Sequence, residues 1–465
     1  MEKWISLIIT ITLLHSSSNQ QNNYGCSYET LLTNEKQIIC INISSTFLQY
    51  FNINLNRSRW FTCKSCNLST ITTNTFNFPK NSIHFLILTD NNISSISNQS
   101  FAKLPFLKIL SLRRNVIKTI NKNTFDGIPK LLQLDLSKNL LEDLQEETFI
   151  NLENLDILNL NQNYIYSVHA NAFDGLTNLK YLYLNDNRIT GLNGNMFQRL
   201  TNLKILYLEN NVIEEIHTWA FNGLYNLNYL YLNNNSISAL VQYNFKHLTN
   251  LVDLQLRRNH LTFIDTSTFN GLKNIKYLYL GENQLDTIRS YGLIGLNSLE
   301  IIDFIGNNFE NFSMSYFKNM ESLNVLWLEN NSINNFIISP NSDIQKSLRI
   351  INLERNSLQN VNYKLLHKKV PNLDQFWIGG NNWTCDFIIE MHDYFYNENV
   401  TVCTNKSCTK EAVKDYIETI CFEPYENETE LVDYVTDCTN NNGINSCVFF
   451  VVFILVIDCV ASTSL

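Results

Sequence analysis

The sequence predicts an α/β-type repeat solenoid, with short parallel strands along one concave side and irregular or short-helical segments along the convex side. Three observations carry this expectation. Thirteen asparagines, Asn91, Asn115, Asn139, Asn163, Asn187, Asn211, Asn235, Asn259, Asn283, Asn307, Asn331, Asn356 and Asn381, recur every 24 residues as far as Asn331 and every 25 thereafter. Each follows an apolar-x-apolar pair, such as Leu182-x-Leu184 or Leu206-x-Leu208. A phenylalanine recurs with the same period, at Phe101, Phe125, Phe149, Phe173, Phe197, Phe221, Phe245 and Phe269. A fixed period in the twenties marks stacked one-turn units, none of which buries its apolar face alone.

Each element of one turn has a physical reason. Leu206 and Leu208 are two apart, so they face the same side of a short strand. That side is the interior of the coil, and Ile213 and Ile216 point inward further along the turn. The phenylalanines form a spine on the outer side. The asparagine amide both donates and accepts, so it can satisfy backbone groups of adjacent turns where the chain leaves the strand. Coding bias explains the abundance of asparagine in this chain, but not its register.

The two ends differ from the array. Residues 1–18 read as a signal peptide, with Lys3, an apolar stretch and a small-residue cleavage site at Ser16, Ser17 and Ser18. Eleven cysteines suit an oxidising compartment, and none lies between Cys66 and Cys385. They therefore flank the array, as capping modules would. Residues 19–80 read as an amino-terminal cap containing a degenerate first repeat. Cys26 and Cys40 are a candidate pair, and Cys63 falls on the second leucine position of that repeat, with Cys66 three residues on. Zinc or redox chemistry at this Cys-x-x-Cys is the disfavoured alternative. Residues 81–381 hold about 13 repeats.

The carboxy-terminal cap, 382–423, opens with Asn381-Asn382-Trp383-Thr384-Cys385-Asp386 and continues with Cys403, Cys408 and Cys421. Here the chain resembles the extracellular leucine-rich-repeat proteins of animals: Slit, Toll ectodomains, small proteoglycans and insect immune repeat proteins. That family's cap opens Asn-Pro-Trp-x-Cys-Asp-Cys; this chain has Asn382 for the proline and Phe387 for the second cysteine. The resemblance implies a leucine-rich-repeat horseshoe with disulfide-bonded caps, but the usual two-bridge pattern does not transfer intact. Residues 424–446 read as an acidic stalk. Residues 447–465 form an apolar tail whose unbroken stretch, 447–457, is shorter than the roughly 20 residues needed to span a bilayer. A lipid-anchor signal fits that length better, with Asn440, Asn441, Asn442 and Gly443 as candidate attachment residues. A weak membrane anchor and plain secretion are the alternatives. Without the tail the chain has nine cysteines, which leaves Cys438 as the candidate for a bridge between chains.

Twelve Asn-x-Ser/Thr acceptors, Asn42, Asn56, Asn67, Asn92, Asn98, Asn234, Asn311, Asn330, Asn382, Asn399, Asn405 and Asn427, mark an exported glycoprotein. The net charge of -9 and the absence of a long basic run argue against a nucleic-acid partner. No nucleophile elbow, phosphate loop or His-Glu-x-x-His motif is present, and no cofactor is implied. The acidic pairs Glu142-Asp143 and Glu146-Glu147 fall on the convex turn and read as a solvated face.

The function expected is therefore binding, to a protein ligand or co-receptor. Residues between the two leucines face outward on the concave side. They are Tyr183, Tyr207, Tyr231, Gln255, Tyr279, Asp303 and Trp327 in successive repeats, and Tyr181, Tyr229 and Tyr277 recur two positions earlier every 48 residues. Tyr181, Tyr183, Tyr207, Tyr229, Tyr231, Tyr277 and Tyr279 thus predict an aromatic surface of the kind that binds protein. Filler copied during repeat duplication is the plainer reading of the same strings. Arg113-Arg114 and Arg257-Arg258 lie at strand ends among Asp186, Glu209, Glu282, Glu329 and Glu354, and read as mixed, solvated rim charge. Cell-surface adhesion or a receptor-like role is the leading expectation. A secreted immune recognition factor and a non-catalytic carrier or regulatory subunit are the alternatives.

Overall fold

The computed structural model describes residues 25–30, 36–49, 58–78, 81–404 and 407–422. The leader at 1–18, the stalk, the tail, Cys438 and the acceptors Asn56, Asn405 and Asn427 lie outside them.

Among the described residues one sheet of 17 strands runs the length of the array. It begins with an antiparallel pair, Gly25–Thr30 against Lys36–Ile41, and every later pairing is parallel. Each repeat contributes one strand of about three residues, and neighbours align without slippage: Tyr181 faces Ile205, Leu182 faces Leu206, Tyr183 faces Tyr207. The register cannot drift, because a one-residue slip would turn the core leucine outward. Leu182, Leu184, Leu206, Leu208, Leu230 and Leu232 are fully buried. The interior is one continuous apolar cluster from Ile38 to Val413.

The convex side is built mostly from turns. Successive backbone bonds of the kind Ala102 N–H to Gln99 O (3.1 Å) and Leu104 N–H to Phe101 O (2.8 Å) carry the chain back. Four glycines there, Gly127, Gly175, Gly223 and Gly271, recur every 48 residues with positive φ. At Gly175 a Cβ would stand 2.2 Å from the Ile150 carbonyl oxygen of the preceding coil, so no other residue fits. Ordered helix within the array is limited to the 3₁₀ turn Met314–Phe317 and the helix Tyr363–Lys369, both toward its carboxy-terminal end.

The phenylalanine spine is continuous: ring centroids from Phe101 to Phe269 are separated by 5.8–6.5 Å, with near-parallel planes. On the sheet side, stacked tyrosines of the same repeats are only 4.5 and 4.9 Å apart. Each repeat is therefore wider at the spine than at the strand, and the array curves with its sheet on the concave side.

The periodic asparagines tie each coil to the one before it. Asn211 is typical: its Nδ2 donates to the carbonyls of Leu184 and Leu208 (both 3.0 Å), and its Oδ1 accepts from Ile189 N (3.0 Å). The pattern repeats from Asn115 to Asn381 with nearly constant distances. Eleven of the thirteen side chains are buried; Asn331 and Asn381 are half-buried. The residue before each asparagine is left-handed, as at Asp186, Asn210 and Asn234 with φ of 54, 57 and 53°.

The caps close on disulfides Cys26–Cys40, Cys63–Cys66 and Cys403–Cys408. The Cys-x-x-Cys of the amino-terminal cap is thus bridged and neither thiol is left for a metal. Cys385 and Cys421, expected in bridges, stand instead as thiols. They lie side by side, and burial together with the Cys385 thiol pushes Cys421 up to about 11. The helices Cys385–Asn397 and Lys410–Phe422 cover the last coil. No described helix is long and apolar enough to cross a membrane.

Replacing Asn211 by Ala removes two donors and one acceptor from paired backbone groups. An exposed Asn193→Ala, whose side chain makes no hydrogen bond, serves as the control. We expect Asn211→Ala to lose about 1–3 kcal/mol in chemical denaturation and Asn193→Ala under about 0.5 kcal/mol. Equal midpoints would remove the energetic importance assigned to the amides.

Candidate functional site

The outward row of the sheet carries Asp135, Asn159, Tyr183, Tyr207, Tyr231, Gln255, Tyr279, Asp303, Trp327, Asn352 and Trp377 on consecutive strands. Strands about 4.8 Å apart bring flat side chains to stacking distance. Tyr183, Tyr207 and Tyr231 accordingly stack face to face, at interplanar angles of 8 and 3°. All three are half-buried, and burial holds their hydroxyls well above the ordinary tyrosine range.

The other four tyrosines do not join that stack. Gln255 interrupts the row, and Tyr279 beyond it is only 8% exposed, with the Arg257 guanidinium 5.4 Å from its ring centre. Tyr181, Tyr229 and Tyr277 lie in a second row, separated by Ile205 and Asp253. Of these Tyr229 is the most open, at 37%, while Tyr277 turns its hydroxyl toward Glu300 (3.5 Å). The exposed aromatic surface is thus three stacked rings with Tyr181 and Tyr229 beside them, smaller than the seven-residue cluster expected.

Acidic groups border the stack more closely than the sequence suggested. Glu209 is pushed up to about 7, first by burial and then by the charge of Asp186. Asp253 is also pushed up to about 7 by burial, although Gln255 Nε2 donates to it at 2.9 Å. At the register of Glu209, the preceding coils carry Asn185 and Asn161. Each of these three keeps one covered oxygen without a hydrogen-bond partner: Asn161 Oδ1, Asn185 Oδ1 and Glu209 Oε2. Unpaired acceptors beside stacked rings form a surface suited to a partner rich in donors.

Arg257 is not solvated rim charge. Its Nε reaches across two strands to the fully buried Asp303 at 2.5 Å. It passes the position of Gly281, where a Cβ would come within 2.7 Å of Asp303 Oδ2. Arg258 pairs with Glu282 at 2.7 Å in the open. Of the described glycan acceptors, Asn42, Asn67, Asn92, Asn98, Asn311, Asn330, Asn382 and Asn399 are exposed. Asn234 is half-buried and donates to Asn210 (2.8 Å). Among the described residues no group of three or more His, Cys, Asp or Glu could hold a metal ion.

Sequence reasoning missed Glu209 and Asp253 as part of this surface, and Trp377 at its far end. Trp377 had a signal, since it lies 50 residues, or two coils, beyond Trp327 in the same row. Asp253 had none, because tyrosines hold its register position in the coils on either side.

The comparisons with known proteins agree with this geometry. The family model for "Leucine rich repeat" matches six overlapping segments, 81–141, 131–189, 153–213, 177–237, 201–261 and 249–309. No curated protein matches the sequence. Among solved structures, Drosophila Toll in complex with Spatzle is similar at TM-score 0.64 and 22% identity, over 79% of this chain and 51% of that one. The structure of TLR13 with ssRNA13 matches at TM-score 0.50 and 23% identity, over 77% and 60%. A leucine-rich-repeat protein of Leptospira interrogans matches at 0.51 and 20%, over 78% and 95%. This chain therefore spans about half to three-fifths of the first two of these chains. At these identities the likeness is one of fold.

A carboxyl whose pKa is higher folded than unfolded binds more protons in the native state. Its stabilising contribution is full below the unfolded value near 4 and is lost as pH rises through the folded value. With Glu209 and Asp253 both near 7, thermal stability should fall between pH 5 and pH 8. Glu209→Gln combined with Asp253→Asn should flatten that slope. An unchanged slope in thermal melts would show that these carboxyls titrate normally.

Proposed function

We propose that this leucine-rich-repeat chain is an extracellular, non-catalytic recognition protein that binds a protein ligand on the concave face of its array. The observation that carries the reading is the stack Tyr183–Tyr207–Tyr231 with its border of unpaired acceptors. Three rings locked by mutual stacking present aromatic area whose ordering cost has been met before a partner arrives. Glu209, Asp253 and Asp186 beside them favour a donor-rich, basic protein surface and oppose a phosphate backbone. Three disulfides at the caps fit an oxidising compartment. In the Toll–Spatzle complex an array of this fold has a protein ligand, which supports the same class of partner here.

Within that reading, attachment to the outer cell surface rests on the tail at 447–465, and a receptor-like or adhesive role follows from such attachment. A phosphatidylinositol-specific phospholipase should then release the chain from intact cells. Retention in the membrane fraction would favour a spanning anchor.

The tyrosine face is tested by Tyr183→Ala with Tyr231→Ala. Partner captured by the parent protein from extracellular fluid should bind the double variant at least about tenfold more weakly, as expected for loss of aromatic anchors. Circular dichroism should be unchanged, since both residues lie on the outward face of the sheet. Parental affinity in the double variant would place the interface elsewhere.

A further inference from the structure

Near the carboxy-terminal end of the sheet, the strands Val325–Trp327, Ile350–Asn352 and Gln375–Trp377 align so that Trp327, Asn352 and Trp377 stand side by side. Two residues further along each chain come Glu329, Glu354 and Gly379, on the same outward face by strand alternation. The core-facing Leu328, Leu353 and Ile378 between them are fully buried. Asn352 and Glu354 point outward, yet are only 8% and 5% exposed. Two indoles flank the smaller Asn352, and a buried carboxyl lies next to it along the chain.

That carboxyl is incompletely paired. It accepts from the Gly379 backbone N–H, but Glu354 Oε1 is buried with no hydrogen-bond partner. The groups facing it are few: Glu329 on one neighbouring coil, Arg355 beside it in the chain, and Tyr416 from the last helix. Arg355 is drawn to Glu329 (Nε to Oε1 3.9 Å), and the Tyr416 hydroxyl accepts from Gly380 N–H (2.9 Å). Burial, followed by the charge of Glu329, pushes Glu354 up to about 8. A buried carboxyl oxygen without a donor is costly to keep, and is met where an incoming group supplies the donor.

We infer that Trp327, Trp377, Glu329 and Glu354 form an anchor site for one arginine side chain of a protein partner. The chemistry selects a guanidinium. It is planar and weakly hydrated, stacks on indole faces, and offers several donors to carboxylates in one plane. A bare ammonium is more strongly hydrated and cannot place two parallel donors on one carboxylate. Because Glu354 is almost fully covered, entry of the group at this proposed site requires the Trp377 indole, whose Nε1 donates to Gln375 Oε1 (3.2 Å), to move aside. The site lies four strands, roughly 19 Å, beyond Tyr231 along the same face, so it does not depend on the tyrosine stack.

Cation binding favours the ionised carboxyl. At pH 7 Glu354 is largely protonated, so an entering guanidinium should expel up to one proton. The probe is the peptide acetyl-Gly-Arg-Gly-amide, with its uncharged citrulline counterpart and a lysine counterpart as controls, titrated into the full chain. Tryptophan fluorescence should change saturably at millimolar arginine peptide, at least about fivefold less at equal concentration of either control. Calorimetry in buffers of different ionisation enthalpy should show proton release. Glu354→Gln should abolish the release, and Glu329→Gln, at a more exposed site, should weaken binding about three- to tenfold with the fold intact. Tyr183→Ala with Tyr231→Ala should bind the peptide as the parent does, which separates this site from the tyrosine face. No saturable response in the parent, proton release retained in Glu354→Gln, or equal responses to the citrulline or lysine peptides would overturn the assignment.

Discussion

The structure depends on one constraint: each coil must bond its backbone to the coil before it at the point where the strand ends. The ladder asparagine meets that constraint with a single side chain, which donates to one carbonyl of its own coil and one of the preceding coil while accepting from a third group. The 25-residue coils that end at Asn356 and Asn381 keep the same bonds, so the extra residue is taken up elsewhere in the turn while the amide stays in register. The left-handed residue before each asparagine is part of the same device. It is glycine in only two of thirteen coils, Gly306 and Gly380, so in the others an ordinary side chain is held where L-residues are disfavoured by about 1–2 kcal/mol. The amide bonds and the burial they permit offset that strain.

Once the interval is fixed, the surface inherits it. Residues at one strand position fall into rows at the strand spacing, and a repeated residue becomes a stack. That is how Tyr183, Tyr207 and Tyr231 reach 4.5 and 4.9 Å without any contact designed for each ring. The same crowding explains why carboxyls on an outward face are hard to ionise. Curvature draws side chains together on the concave side, so Glu209 and Asp253 are covered by neighbours and lose hydration. On the convex side the spine rings are spread to 5.8–6.5 Å.

The fold was legible because its determinants are periodic. Leucine, asparagine and phenylalanine rows each state one physical requirement thirteen or eight times, so single exceptions do not obscure them. The Cys26–Cys40 pair of the amino-terminal cap was legible, whereas the carboxy-terminal cap was legible in position but not in pairing, since Phe387 stands in place of a cysteine and Cys385 and Cys421 are adjacent thiols. The tyrosine face was half legible. The row was visible from spacing, but Tyr279 is covered because Arg257 crosses to Asp303, a contact between residues 46 apart that no local pattern announces. Burial of Glu209 and Glu354 was not legible, because it depends on what the neighbouring coils carry beside them.

These misses share a cause. A uniform row can be read from one repeat, but it offers every coil the same surface. Chemistry that differs from place to place requires a change of side-chain size along the row. At Gly281 the absent Cβ opens the path by which Arg257 reaches Asp303. At Asn352 a small amide stands between two tryptophans in the row, next to the buried Glu354. In both cases a small residue stands in a row of large ones, with a buried carboxyl close by. A break of this kind, where size changes while register is kept, makes one coil differ from the next, and the arginine site proposed above lies at such a break.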